Sequence, residues 1–252
     1  MILSKKLPPR FHNRRVLVST QAYRRYYTQS LTSIHADLFQ SVEDWIRPGD
    51  TVWDVGANCG IFSYAAAVLA GAGGRVIAIE ADIRCASLID RSRKFRLAEE
   101  APVVLCPFAV SENSGTVQFQ LSAYRTAANS LSGFGRFDAG GTQLEVPVFS
   151  LDSLRSGLPD PTVIKIDVEG AEHLVLRGCM ETLRHCRPVL VCECTGGETG
   201  LAIENMLREV GYAWRSMTAG DNTPFTQDSI TCSDIVALPK EHARCTPLHL
   251  RA

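Results

Sequence analysis

The 252-residue sequence has no apolar run near the roughly 20 residues that a membrane-spanning helix needs, so no such helix is expected. It has no excess of glycine or proline either, with 19 and 12 of them, which excludes collagen-like and low-complexity chains. The net charge of −1 is too small to indicate any class of partner. What is present is a 45% share of apolar residues, which is enough to bury the core of an ordinary α/β domain.

The nine cysteines include no C-x-x-C pair and no pair with four residues between, which are the common zinc-binding spacings, so no metal is predicted. The first residues also lack an apolar segment of the length that a secretory signal needs. Together these features favour a reducing, cytoplasmic compartment with free thiols. Cys192 and Cys194 lie in an apolar stretch and are expected to be buried as small hydrophobic side chains.

The charge is distributed unevenly along the chain. Residues 1–36 contain seven basic residues and no acidic one, whereas the remainder contains 19 basic and 27 acidic residues. A basic arm of this kind could contact phosphates, acidic substrates or anionic lipid. It could equally be a loose terminus or a segment folded back on the acidic body.

Apolar runs alternate with helical patterns, which predicts a mostly parallel sheet with helices on both faces. The predicted strands are 51–55, 75–80, 103–110, 162–167, 188–193, 213–215 and 230–237. The predicted helices are 33–47, 58–70, 83–97, 170–183 and 198–210. Two alternating stretches, 116–121 and 144–149, predict a β-hairpin with a loop over 122–142, inserted at about 111–150.

The segment Asp54–Gly60 (Asp-Val-Gly-Ala-Asn-Cys-Gly) joins the first of these strands to a helix. Its glycines let a ligand approach the backbone, and the helix N-terminus offers free N–H groups to an anion. The dinucleotide pattern G-x-G-x-x-G and a Tyr-x-x-x-Lys pair are both missing, which argues against a nicotinamide-dependent oxidoreductase. An acid beside a helix terminus suits a ligand with an amino acid end. Glu80 ends the next strand, where an acid can accept the ribose hydroxyls of a nucleoside.

Lys165, Asp167 and Glu169 alternate along a later strand and its end, so they share a direction. Three ionisable groups at the rim of a sheet are costly unless they are used or paired. Two interpretations stay open. These residues form part of a functional site, or Lys165 and Asp167 only form an ion pair that stabilises the edge of the sheet.

Together these segments resemble S-adenosylmethionine-dependent methyltransferases of the FkbM family, over about residues 35–195. The resemblance implies a Rossmann-like class I methyltransferase fold, an α/β fold whose seven-stranded, mostly parallel sheet has a reversed last strand. It also implies methyl transfer, usually to oxygen on a sugar, polyketide or similar secondary metabolite. We expect a basic arm over 1–35, the methyltransferase domain over 36–239 and a tail over 240–252. The matching segments are Asp54–Gly60, Glu80, Ala109–Gly115, Val146–Val148 with Leu151 and Asp152, and Lys165–Glu172, of which the last is the most specific.

The resemblance also assigns cofactor-binding roles. Asp54–Gly60 would hold the methionine end of S-adenosylmethionine, Glu80 the ribose, and residues 108–110 would lie against the adenine. Asp167 would lie near the sulfonium. The full set of expected cofactor residues is Asp54, Gly56, Ala57, Asn58, Gly60, Glu80, Ala81, Asp82, Ala109 and Asp167.

An alcohol that accepts a methyl group must lose a proton, so a general base is expected. Glu169 and Glu193 are preferred for this role over His173, which lies one turn into a helix. Some related enzymes use magnesium instead, which Asp167 and Glu193 could bind, but the segment after Glu193 lacks a further carboxylate. By the resemblance, Asn129 and Ser130 correspond to a polar loop that the family places near the site, and we expect them to bind the substrate. The full set of expected catalytic residues is Lys165, Asp167, Glu169, His173 and Glu193.

A small-molecule acceptor is favoured, but two other functions stay open. The first is methylation of a nucleic acid or other anionic acceptor through the basic arm, whose Phe11, Tyr23, Tyr26 and Tyr27 could stack on bases. Against it, the sequence has no Asn/Asp-Pro-Pro-Tyr/Phe motif for base amines. The second is a non-catalytic protein that only binds S-adenosylmethionine.

Overall fold

The computed structural model describes residues 1–20, 23–121, 130–131, 142–194, 196–217, 223–230 and 234–242. Its strands, in chain order, are β1 Ile2–Lys6, β2 Arg15–Ser19, β3 Thr51–Val55, β4 Arg75–Ile79, β5 Val103–Cys106, β6 Ala109–Val110, β7 Gly115–Leu121, β8 Ser130–Leu131, β9 Thr142–Phe149, β10 Val163–Ile166, β11 Val189–Cys192, β12 Tyr212–Ser216 and β13 Ile235–Pro239. Its α-helices are α1 Leu31–Ile34, α2 Ala36–Trp45, α3 Ile61–Ala70, α4 Ile83–Ser92, α5 Leu151–Leu154, α6 Glu172–Arg177, α7 Met180–Cys186 and α8 Gly197–Glu209. Short 3-10 turns occur at Pro9–Phe11, Arg24–Tyr27 and Arg93–Phe95.

A seven-stranded sheet with the order β12-β13-β11-β10-β3-β4-β5 forms the centre of the fold. Its strands run parallel except β13, which is antiparallel to both of its neighbours. This is the sheet that the sequence and the family resemblance predicted, with its last strand reversed. Side chains alternate between two cores, because Val52 and Val76 face one side while Trp53 and Ile77 face the other. Helices α2 to α4 cover the first face and α6 to α8 cover the second.

Several predicted boundaries were wrong for local reasons. The predicted helix 58–70 begins only at Ile61, because Gly60 has the left-handed conformation (φ 78°). The predicted strand 103–110 is split at Pro107, so that β5 stays in the central sheet while β6 joins a second sheet. The predicted helix 170–183 is two helices, since the carbonyl of Gly178 accepts the N–H of Asp152 (2.8 Å). The predicted helix 33–47 is likewise α1 and α2, which meet at His35.

The second sheet has the order β6-β9-β7-β8 and contains the predicted hairpin. Strands β7 and β9 pair antiparallel from Gly115 opposite Val148 to Leu121 opposite Thr142. The pairing of β6 with β9 was not predicted, and it brings Ala109 and Val110 beside the hairpin. Most of the predicted loop over 122–142 lies outside the described residues.

The basic arm folds back on the body of the protein, which was one of the alternatives that its composition left open. Strands β1 and β2 form an antiparallel hairpin, and its Val16 and Val18 are fully buried in the same core as α3 and α4. Arg14 donates two hydrogen bonds of 2.9 Å to the carboxylate of Glu100, and its guanidinium lies 3.7 Å from the centre of the Tyr64 ring. The arm is therefore an integral layer over α3 and α4.

The seven cysteines of the described residues are free thiols, and Cys192 and Cys194 are buried as predicted. No helix in the described part of the chain has both the length and the hydropathy to cross a membrane.

Candidate functional site

A cleft of about 680 Å³, with its opening to solvent included, lies where β3, β4 and β10 end. Ligands of open parallel sheets bind at this edge, beyond the carboxyl ends of the strands. The cleft brings together nine of the predicted site residues, namely Gly56, Asn58, Glu80, Ala81, Phe108, Ala109, Val110, Asp167 and Glu169. Its other lining residues are Val55, Ile79, Cys85, Phe119 and Val168. Of these, Phe119 belongs to the inserted hairpin, and its sequence pattern predicts a strand without indicating a ligand.

The glycine-containing loop after β3 packs tightly against the neighbouring strand ends. Gly56 has φ 77°, and a Cβ added there would lie 1.8 Å from the backbone oxygen of Asp167. The N–H groups of Gly56 and Ala57 both donate to the carbonyl of Ile79 at 3.0 Å. Only glycine fits between the two strand ends at position 56, so the backbone itself forms part of the cleft wall.

Glu80 is held in place by two backbone donors. One of its carboxylate oxygens accepts the N–H of Asn58 and the other the N–H of Asp82, each at 2.7 Å. Burial raises the pKa of Glu80 to about 7, although the two hydrogen bonds oppose this. Each oxygen keeps a further lone pair for a ligand, so the group can accept a pair of hydroxyls from the cleft.

Asp54 and Asp82 bind the protein itself and do not line the cleft. Asp54 is fully buried and accepts the hydroxyl hydrogen of Ser63. Asp82 is also buried, caps α4 through the N–H of Arg84 (2.8 Å), and forms an ion pair with that guanidinium at 2.8 Å. The sequence suggested that both carboxylates contact a ligand. In this structure they contact other protein groups instead and do not reach the cleft. They fix the loops on which Gly56 and Glu80 lie.

The ammonium group of Lys165 contacts two carboxylates and links them in one charge network. Its Nζ lies 3.1 Å from Asp167 Oδ2 and 3.4 Å from Asp54 Oδ1, so the predicted ion pair is present. Burial opposes the charge on Lys165, but the two carboxylates raise its pKa above the usual value. Burial likewise raises the pKa of Asp167, yet the Lys165 ammonium and a hydrogen bond from Glu193 bring it below the usual value. Asp167 is therefore held ionised.

Glu193 and Glu169 both retain protons more strongly than ordinary glutamates. Burial and the charge of Asp167 raise the pKa of Glu193 to about 9, and the two carboxyl groups share a hydrogen bond. Burial, with the charges of Asp167 and Glu172, raises the pKa of Glu169 to about 7. At neutral pH the pair of Asp167 and Glu193 thus holds one proton.

A second cavity, of about 430 Å³ with its opening to solvent included, shares Asp167 with the first. Asp167 lines both cavities, whereas Glu169 lines only the first and Glu193 only the second. The remaining residues of this second cavity are Leu38, Ser41, Phe62, Lys165, Ile166, Val191, Met217 and Asp234. Lys165, like Glu193, was singled out from the sequence, whereas the other residues of this list were not. The sequence pattern of α2 indicates only a buried helix face.

A family model described as the methyltransferase FkbM domain matches residues 54–213, which is well over half of the chain. The chain belongs to the FkbM methyltransferase family. The matched segment begins at the buried aspartate of β3 and ends in β12, so it contains both cavities except for α2, Met217 and Asp234. Membership confirms the family prediction, and the sheet described above is the predicted class I methyltransferase fold.

Solved structures similar to this FkbM family member share little sequence with it. One is a methyltransferase FkbM from Methylobacillus flagellatus KT, with 17% identity over 91% of this chain and 58% of that chain (TM-score 0.49). Another is a precorrin-6y C5,15-methyltransferase from Geobacter metallireducens GS-15, with 18% identity over 82% and 88% (TM-score 0.45). A third is Aeropyrum pernix fibrillarin with natively bound S-adenosyl-L-methionine, with 10% identity over 94% and 93% (TM-score 0.49). Among curated proteins, no match was found.

Among the predicted site residues that the structure of this FkbM family member describes, five line neither cavity, namely Asp54, Ala57, Gly60, Asp82 and His173. His173 lies on α6 and lines neither cavity, and burial together with Arg177 lowers its pKa. Asn129 lies outside the described residues, and only the backbone of Ser130 is described, in β8 opposite Gln120. Within the described residues, no group of three or more His, Cys, Asp and Glu side chains is arranged to hold a metal ion.

Proposed function

We propose that this FkbM family protein is an S-adenosyl-L-methionine-dependent O-methyltransferase that acts on a hydroxyl of a sugar, polyketide or other small metabolite. The observation that supports this most is that two cavities meet at one ionised carboxylate, Asp167. A methyltransferase needs such an arrangement, because donor and acceptor must enter from opposite sides and react in line.

The first cleft fits the cofactor part by part. Glu80 presents two carboxylate oxygens to the ribose hydroxyls, and Phe108 with Ala109 offers an apolar wall to the adenine. The half-buried backbone at Gly56 lines the cleft without a side chain, which allows the methionine end to approach closely. When bound, S-adenosyl-L-methionine supplies an electrophilic methyl group on a positively charged sulfur. Asp167 lines the same cleft, and its negative charge would offset that positive charge.

The second cavity is the place of the acceptor. Lys165 keeps Asp167 ionised and fixed in position, and Asp167 in turn orients the carboxyl group of Glu193. In its ionised form Glu193 would take the proton from the acceptor hydroxyl, which makes that oxygen a better nucleophile. A base with a pKa of about 9 accepts a proton readily but is ionised in only a minor fraction of molecules at neutral pH.

Calorimetric titration of the purified protein with S-adenosylmethionine and S-adenosylhomocysteine tests this proposal. We expect binding with a Kd on the order of micromolar, unaffected by EDTA. Glu80→Gln should weaken it by roughly tenfold to a hundredfold, the effect of losing charge-assisted hydrogen bonds, while the exposed Glu99→Gln should not. Absence of binding would contradict the proposal. Binding lost only with EDTA would instead make Asp167 and Glu193 metal ligands.

Methyl transfer to hydroxylated metabolites is then measured with the radiolabelled donor. Cofactor binding without transfer to any acceptor supports the non-catalytic alternative. Transfer to nucleic acid through the basic arm has less support, because two of its arginines pair within the protein: Arg14 with Glu100, and Arg10 with Glu43 at 2.9 Å.

A further inference from the structure

The second cavity holds more carboxyl groups than cations. Asp167, Glu193 and Asp234 line it, and among its described lining residues Lys165 is the one cation. Lys165 already contacts Asp167 and, behind it, the buried carboxylate of Asp54. Because two carboxylates offset the single ammonium, the charge of Asp234 has no counter-charge within the described lining of the cavity.

Most of the charges that act on Asp234 are negative. Burial raises the pKa of Asp234, and so do the charges of Asp167 and of Asp37 on α2, while Lys165 opposes them. His35, which lies between α1 and α2, brings no positive charge, since burial lowers its pKa to about 4. Its Nε2 is 2.9 Å from the hydroxyl of Tyr26. A cation placed beside Asp234 would relieve this repulsion.

A second, independent feature of the cavity is the hydroxyl of Ser41 on α2. Ser41 is only 5% exposed, and its Oγ has no hydrogen-bond partner within the described part of the chain. The residue lines the second cavity and also a neighbouring pocket beside Trp45. Buried hydroxyls are nearly always hydrogen-bonded, so an orphaned one at a cavity wall indicates a missing polar partner.

We propose that the acceptor is a small amino alcohol or amino sugar, which carries a protonated amine as well as the hydroxyl that is methylated. The ammonium group binds at Asp234, the hydroxyl of Ser41 hydrogen-bonds to the acceptor, and the reacting hydroxyl lies at Asp167 and Glu193. Leu38 and the other apolar side chains of the cavity cover its carbon skeleton. This inference rests on the proposed function, and it goes further by naming the substrate class.

The test uses the full chain saturated with S-adenosylhomocysteine and matched pairs of probes. D-glucosamine, galactosamine and phenylethanolamine are each titrated against their N-acetyl counterparts, which have the same skeleton without the charge. We expect at least one amine to bind about tenfold more tightly than its N-acetyl counterpart, with a preference that falls as salt is added. Asp234→Asn should abolish the preference. Asp228→Asn removes a carboxylate that is exposed like Asp234 but lies outside the cavity, and it should retain the preference.

A Ser41→Ala variant separates the two contacts. It should weaken the binding of an amine and of its N-acetyl counterpart by the same factor of about three to ten, because it removes a hydrogen bond and no charge. Equal binding within every pair, a preference unchanged in Asp234→Asn, or no binding of any probe overturns the inference while the proposed function stands. Failure to bind S-adenosylhomocysteine overturns both, so the two failures are distinguishable.

Discussion

Replacing Arg14 with alanine should destabilise the protein by about 3–5 kcal/mol. The Arg14 side chain is 0% exposed, and its two hydrogen bonds to the 1% exposed carboxylate of Glu100 are each 2.9 Å long. It also donates to the carbonyl of Ser92 (3.0 Å) and stacks on the ring of Tyr64. Alanine would leave the Glu100 carboxylate buried without its cation, which costs far more than a surface pair of the same geometry.

The assay is urea unfolding at neutral pH, followed by circular dichroism and by tryptophan fluorescence. The neighbouring Arg15→Ala is the matched control, because that exposed side chain donates one hydrogen bond, to Ser4 Oγ at 3.0 Å. It should cost less than about 1 kcal/mol. Adding Glu100→Gln to Arg14→Ala should recover part of the loss, since it removes the stranded charge. If Arg14→Ala lowers the free energy of unfolding no more than Arg15→Ala does, the idea that this ion pair holds the arm on the body of the protein is refuted.

Three further predictions concern the site. Gly56→Ala should reduce S-adenosylhomocysteine affinity in calorimetry by more than about a hundredfold, since its Cβ would lie 1.8 Å from the Asp167 carbonyl oxygen, whereas Gly157→Ala has room and should not. Cofactor affinity should rise as the pH is raised through about 7, because ionised Glu80 accepts hydroxyls from the ribose, and Glu80→Gln should remove this dependence. With any accepted alcohol, kcat/KM should climb with pH towards about 9, because only the ionised form of Glu193 accepts the proton. Glu193→Gln should lower kcat/KM by about a hundredfold or more and flatten that climb, and a profile that is unchanged in the variant would exclude Glu193 as the base.

The central sheet was predictable because its strands are buried on both faces and therefore read as uninterrupted apolar runs. The position of the first cleft was predictable for a related reason. Gly56 and Glu80 directly follow such strands, so locating the strand also locates the residue. The direction in which a side chain points could not be predicted from the strand pattern. Asp54 and Asp82 were expected to face a ligand, but the hydroxyl of Ser63 and the guanidinium of Arg84 bind them instead.

The second cavity could not be predicted in the same way. Leu38 and Ser41 come from α2, Glu193 follows β11 and Asp234 precedes β13, so the wall is assembled from parts nearly 200 residues apart. No local spacing connects these positions, because only the packing of α2 against the sheet brings them together. A serine on an amphipathic helix indicates nothing by itself. That its hydroxyl lacks a hydrogen-bond partner can be recognised only from the positions of its neighbours in the structure.

Asp167 belongs to the walls of both cavities, and this has a thermodynamic consequence. Any charge that enters one cavity acts on the carboxylate that lines the other, and through it on the proton shared with Glu193. Such coupling is reciprocal, so each ligand changes the affinity of the other by the same factor. If the two cavities hold donor and acceptor as proposed, the two sites form one cooperative unit, and each dissociation constant depends on whether the other site is occupied.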